Sequence, residues 1–176
     1  ARSSFSVQIN EGGTLDISST TGHIFGNVTG QGLLRLSTNQ FPTGDFSIFI
    51  STTGGTVEYY NNANFNLAQL EYNNLIFNLS APATTVSVLG NLIVSGNLTV
   101  QQGTFRINNN AATTRLDLTV NGDVLVQSNG LITVGTGNIG TAFEDAHRFF
   151  IRGNFTNNGD VRFTNLAAPN YLTRPN

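Results

Sequence analysis

Apolar and polar residues alternate along this chain in runs of three or four positions, and each run ends where a Gly stands beside Asn or Asp. Alternation with a period of two marks half-buried strands, and glycine with Asn or Asp marks corners that need positive φ. The pattern is clearest from Leu92 to Thr133, where it also repeats. Advanced by about 26 residues, Leu92-Ile93-Val94-Ser95-Gly96-Asn97-Leu98-Thr99-Val100 falls on Leu118-Thr119-Val120-Asn121-Gly122-Asp123-Val124-Leu125-Val126, a period in the range of repeat architectures. At the same offset Phe105 falls on Leu131 and Ile107 on Thr133. Each copy reads as three short strands and their corners. Three such strands cannot bury an apolar face alone, but stacked copies can. The expected fold is therefore all-β, a parallel β-helix (β-solenoid), right-handed by the default for parallel crossovers.

Earlier in the chain, Phe5, Val7 and Ile9 and then Leu15 and Ile17 give a strand, a glycine turn and a strand. His23 to Val28 and Leu33 to Leu36 continue the series, and Asp45 to Ile50 alternates again. Good helix formers are sparse, while β-branched and aromatic residues are abundant. Val57/Tyr59, Leu75/Phe77, Leu92/Val94, Leu118/Val120 and Phe149/Ile151 read as one strand repeated on successive coils, roughly 17 to 31 residues apart, with loops inserted at the corners. Asn157 stands where Val100 and Val126 predict an inward apolar residue. The expected layout is one domain over residues 1–176: regular coils over about 13–163, an irregular loop at 138–147 and a tail at 164–176. Neither end shows an obvious capping unit, so the chain reads as a fragment of a longer repetitive one.

Composition narrows the function classes. Only 10% of residues are charged, against the usual quarter, and all eight basic residues are Arg. A formal charge of −2 without a basic cluster argues against nucleic acid. The absence of cysteine excludes a disulfide framework and a thiolate metal site. No apolar run is long enough to cross a bilayer as a helix.

Few residues suggest chemistry. Glu144, Asp145 and His147, with Arg148 beside them, have the side chains for a divalent cation or for acid-base work; a solvated charged loop is the simpler reading. Gly-Asp and Asn-Gly pairs around Asp45, Asp123 and Asp160 fit tight turns better than calcium corners, so no cofactor is expected. His23 has no nucleophile elbow to serve. Tyr59, Tyr60 and Tyr72 concentrate aromatic surface of the kind that contacts glycans, although a core Tyr59 with Tyr60 and Tyr72 shielding coil edges is the plainer account.

Several runs carry a family resemblance: Thr29-Gly30-Gln31-Gly32-Leu33-Leu34-Arg35-Leu36-Ser37, Phe41-Pro42-Thr43-Gly44-Asp45-Phe46, Gly54-Gly55-Thr56-Val57-Glu58-Tyr59-Tyr60, Tyr72-Asn73-Asn74-Leu75-Ile76-Phe77 and Gly90 to Val100. In that order, from about Gly13 to Phe163, the chain resembles the repeat segments of very large Bacteroidetes surface proteins, the SprB-like gliding-motility adhesins. The resemblance implies export by the type IX secretion system, display at the cell surface and no catalytic residue. The sorting domain usual in that family is absent from this sequence. The expected function is a non-catalytic structural and adhesive module, with neighbouring repeats, surface glycans or a substratum, and the secretion machinery as partners. The alternative is a carbohydrate-binding or polysaccharide-degrading β-helix protein, for which Arg106, Arg115 and Arg152 would be the candidate basic groups.

Overall fold

The computed structural model describes residues 5–20, 22–109, 114–135 and 146–163, and among these there is no helix. The strands, in chain order, begin with β1 (Phe5–Ile9), β2 (Thr14–Ser18), β3 (Ile24–Gly30), β4 (Leu33–Leu36), β5 (Thr43–Asp45) and β6 (Thr56–Tyr59). Next come β7 (Phe65–Asn66), β8 (Glu71–Tyr72), β9 (Asn74–Asn78), β10 (Thr85–Val88), β11 (Leu92–Val94) and β12 (Leu98–Ile107). The last are β13 (Asp117–Val120), β14 (Val124–Val134), β15 (Arg148–Ile151), β16 (Phe155–Asn157) and β17 (Asp160–Arg162). Every pairing among them is parallel.

The pairings form curled ladders that the chain visits in turn. One runs β2-β4-β6-β9-β12-β14-β16. The far halves of β12 and β14 bend into a second ladder with β7, β10 and β17, and β8-β11-β13-β15 make a third. At the start of the chain β1-β3-β5 form a ladder of their own.

Register turns the alternation in the sequence into columns. Leu34, Val57, Leu75, Leu98 and Val124 are successive partners, as are Leu36, Tyr59, Phe77, Val100 and Val126, and all ten are essentially sealed from solvent. Each is worth about 1.5–3 kcal/mol of apolar burial. Because like stacks on like at about 4.8 Å, the aromatic members can overlap face to face. Within the column the Tyr59 and Phe77 rings stack at 6.1 Å, and Phe77 also stacks at 5.3 Å on Phe105, which belongs to the second ladder.

Four expectations change here. The single column expected to run from Val57 through Leu92 to Phe149 is two columns in different ladders. Leu75 continues into Leu98, whereas Leu92 pairs with Leu118, and Leu118 with Phe149. The offset of 26 also fails beyond Val100, because β14 carries one more residue than β12, so Phe105 pairs with Ile132 and Ile107 with Val134. The extra residue keeps an apolar side chain inward on both rungs.

The segment after Asp45 is not a strand. Phe46 to Ile50 form turns, with the Ile50 N–H donating to the Phe46 carbonyl at 3.0 Å. Phe46 and Phe49 are buried while Ile48 is exposed, a spacing of three that the alternation concealed. Asn157, expected to face inward, is exposed on the last rung, where its Oδ1 accepts the Gly159 N–H at 3.1 Å.

Candidate functional site

The densest cluster of charge among the described residues lies on the outer face of β2, β4 and β6. Register puts Asp16, Arg35 and Glu58 side by side on adjacent strands. Arg35 Nη1 lies 2.9 Å from Asp16 Oδ2, and Nη2 lies 3.3 Å from Glu58 Oε1. The Tyr60 hydroxyl donates to Asp16 Oδ1 at 2.6 Å, its ring lies under the guanidinium at 4.4 Å, and the Asn78 amide donates to Glu58 Oε1 at 3.2 Å. Burial opposes the charge on Arg35, but the hydrogen bond and charge of Glu58, with Asp16, outweigh it and hold the guanidinium above its ordinary pKa. Chemically this is a closed ion ladder: each carboxylate already accepts from Arg35 and from a second side chain. It suits bracing better than proton transfer, which needs a group at liberty to exchange its proton with a substrate.

The tyrosines expected to offer aromatic surface divide. Tyr60 is half-buried in the ion ladder, while Tyr59 and Tyr72 lie in the interior and present nothing to a glycan. Tyr59 was expected in the core; Tyr72, expected to shield a coil edge, is buried there as well, and both hydroxyls are satisfied. Tyr72 donates to the Gln69 carbonyl at 3.0 Å, so Tyr59 donates to Tyr72 at 2.9 Å. Burial pushes both phenols above their ordinary pKa.

Glu144 and Asp145 lie outside the described residues. The His147 ring is engaged within the chain: its Nδ1 accepts the Leu116 N–H at 3.0 Å, and its Nε2 lies 3.3 Å from the Asn108 side-chain nitrogen. The ring fastens the approach to β15 onto the approach to β13. Beside it Arg148 forks onto Asp117, with Nε 2.7 Å from Oδ1 and Nη2 on Oδ2, which holds the Asp117 carboxyl below its ordinary range. Among the described residues no three His, Asp or Glu side chains converge as metal ligands would.

What the sequence reading assigned to turns alone is an amide ladder at the corners. Asn74 Oδ1 accepts the Asn97 N–H at 2.9 Å, Asn97 Oδ1 the Asp123 N–H at 2.8 Å, and Asp123 Oδ1 the Asn154 N–H at 2.7 Å. Each bond joins one rung to the next. The residue before each acceptor-bearing corner is equally constrained: a Cβ on Gly96, Gly122 or Gly153 would fall on the Oδ1 of Asn74, Asn97 or Asp123 beneath it. The recurring Gly96-Asn97, Gly122-Asp123 and Gly153-Asn154 pairs were the available signal. Their spacing, not their turn propensity, reveals the ladder.

No family model, no curated protein and no solved structure matches this chain.

Proposed function

We propose that this chain is a β-solenoid segment that serves as a rigid, non-catalytic structural and adhesive module of a cell-surface protein. The observation that carries the reading is the in-register column Leu34, Val57, Leu75, Leu98 and Val124, continued rung by rung by identical chemistry. Such a stack makes length and stiffness cheap to add, since each rung contacts only its neighbours. The outward charges support it too: Asp16, Glu58 and Asp117 are all committed to arginines. Taken with the resemblance to SprB-like adhesins, the module belongs outside the cell, joined to neighbouring repeats and presented to glycans or a substratum after type IX export.

Two measurements test this reading. Small-angle scattering should return the cross-section of a rod, and incubation with pectin, alginate or glycosaminoglycan should release no new ends. Depolymerisation of any of these would overturn the reading in favour of a carbohydrate-active β-helix enzyme. Attachment of beads coated with the protein to glass or to glycan-bearing surfaces should exceed that of uncoated beads. Equal attachment would remove the adhesive part and leave the structural one.

A further inference from the structure

The three ladders treat their arginines differently. On the first, Arg35 lies between Asp16 and Glu58 in register, and on the third Arg148 lies beside Asp117 and forks onto it. On the second, the register partners of Arg106 are Ser87 and Thr133. The column there reads Asn66, Ser87, Arg106, Thr133 and Arg162, with no carboxylate in it. Arg162 takes Asp160 from its own strand, but among the described residues Arg106 has no ion-pair partner.

Arg106 is nevertheless built in. Its neighbours Phe105 and Ile107 are core, as are Val86 and Val88 on the strand before, so Ser87 and Arg106 share the outer face. There the Ser87 hydroxyl accepts from Arg106 Nε at 3.0 Å and from Nη2 at 2.8 Å. Ser87 is 1% exposed and Arg106 half-buried, so the guanidinium is fixed against a contact closed to water. One edge of its five-donor fork is spent on Ser87, and the end formed by Nη1 and Nη2 is left, which has the geometry of a carboxylate partner. A cation partly withdrawn from water and met only by a neutral hydroxyl keeps most of its demand for a counter-charge.

We propose that Arg106, held by Ser87, binds the carboxylate of an acidic glycan, a uronate-bearing chain lying along the outer face of the second ladder. The site rests on the reading of the chain as a glycan-contacting module and narrows the glycan to an anionic one. A net charge of −2 offers no long-range attraction to a densely charged polyphosphate. One isolated guanidinium in a column of hydroxyl and amide side chains suits a polymer whose charges are carried on hydroxyl-rich rings. Arg162, two rungs or about 10 Å along, takes a further carboxylate only by giving up Asp160, an exposed pair of small worth.

Calorimetric titration of the whole chain with polygalacturonate, and with the same polymer fully methyl-esterified, tests this directly. The acid form should bind, less tightly as NaCl is raised, and the ester should not. Arg106→Gln should lower the affinity about tenfold. Arg106→Lys, which keeps the charge without the fork, should fall between, and Arg152→Gln, at an exposed arginine off this column, should bind as wild type does. Ser87→Ala leaves the charge and removes its anchor, so it should lose severalfold even if Arg106→Gln fails to fold. Equal binding of the two polymers overturns the proposal, as does wild-type affinity in Arg106→Gln or in Ser87→Ala. Tighter binding of a single-stranded oligonucleotide than of polygalacturonate would also overturn it and give the face to nucleic acid. The bead assay separates the two readings: coated beads that attach while polygalacturonate fails to bind leave the adhesive module standing and remove only this site.

Discussion

From Asn74 onward the corners carry Asn97, Asp123 and Asn154, so successive rungs are tied by neutral or singly charged side chains accepting backbone N–H groups. Before Asn74 the corners are Gly13, Gly32 and Gly55, where the Leu33 N–H reaches the Gly13 carbonyl and the Thr56 N–H the Gly32 carbonyl, both at 2.9 Å. There the side-chain ties sit on the outer face, in Asp16, Arg35 and Glu58. The corners of the same parallel stack are therefore tied by side-chain oxygens in the later region and by backbone carbonyls in the earlier one, where the outer face adds the ion ladder of Asp16, Arg35 and Glu58. The later region carries its own ion pair away from the corners, Arg148 on Asp117. The difference matters because ion pairs at a partly exposed surface are screened by salt and amide-to-backbone bonds are not.

The largest effect should come from the column both regions share. Leu98→Ala, at a fully buried position, should cost about 2–5 kcal/mol in urea unfolding. Leu15→Ala, half-buried on the end rung of the glycine region, should cost clearly less. Equal losses would mean that the end rung is packed like the middle, against the burial difference.

Gly122→Ala comes next and probes the amide region alone. Its Cβ would fall on Asn97 Oδ1 and the Gly96 carbonyl, so overpacking of about 1–3 kcal/mol is expected. Asn97→Ala added to Gly122→Ala should recover part of that loss, because the oxygen in the way is then gone. Additive losses in the double variant would show that the strain lies against the backbone instead.

The comparison is sharpest with salt. Asn97→Ala removes one accepted N–H and should cost about 1 kcal/mol at any ionic strength. Arg35→Ala strands Glu58, whose side chain is 9% exposed, but Arg35 itself is 32% exposed, so a loss of about 1 kcal/mol is reasonable after screening. The gap between wild type and Arg35→Ala should narrow from low salt to 1 M NaCl, where the screening length falls to about 3 Å. Parallel salt responses in the two variants would erase the distinction between the regions.

Much of the stack was legible in the residues. Alternation placed Leu92, Leu118 and Phe149 in one register, and the Gly with Asn or Asp pairs located the corners. What failed had local physical causes. Alternation fixes which face a side chain takes, not which ladder its strand joins, so Leu92 and Leu98 were exchangeable continuations of Leu75. The extra residue in β14 is silent in composition and shows only when Phe105 must meet an apolar partner, Ile132. Phe46, Ile48 and Ile50 mimic a strand, while the burial of Phe46 and Phe49 follows a turn. The candidate site was the least legible, because Asp16, Arg35 and Glu58 are isolated in sequence and meet only through register.

The smallest predicted effect concerns pH and belongs to the amide region's last rung. His147 must stay neutral at Nδ1 to accept the Leu116 N–H, and burial already lowers its pKa below the ordinary value. Its neighbours in sequence and space carry positive charge at Arg148, itself paired with Asp117. The unfolded chain therefore binds a proton at this histidine more readily than the folded one, and stability must rise with pH across the interval between the two pKa values. The contribution is fully present above the ordinary value of about 6.5 and declines as pH falls through the folded value. His147→Gln, which cannot titrate, should flatten the pH dependence of the urea midpoint in that interval, with a small change at pH 8. An unchanged slope would mean that the ring leaves Leu116 before it titrates and that the last rung is held by Arg148 and Asp117 alone.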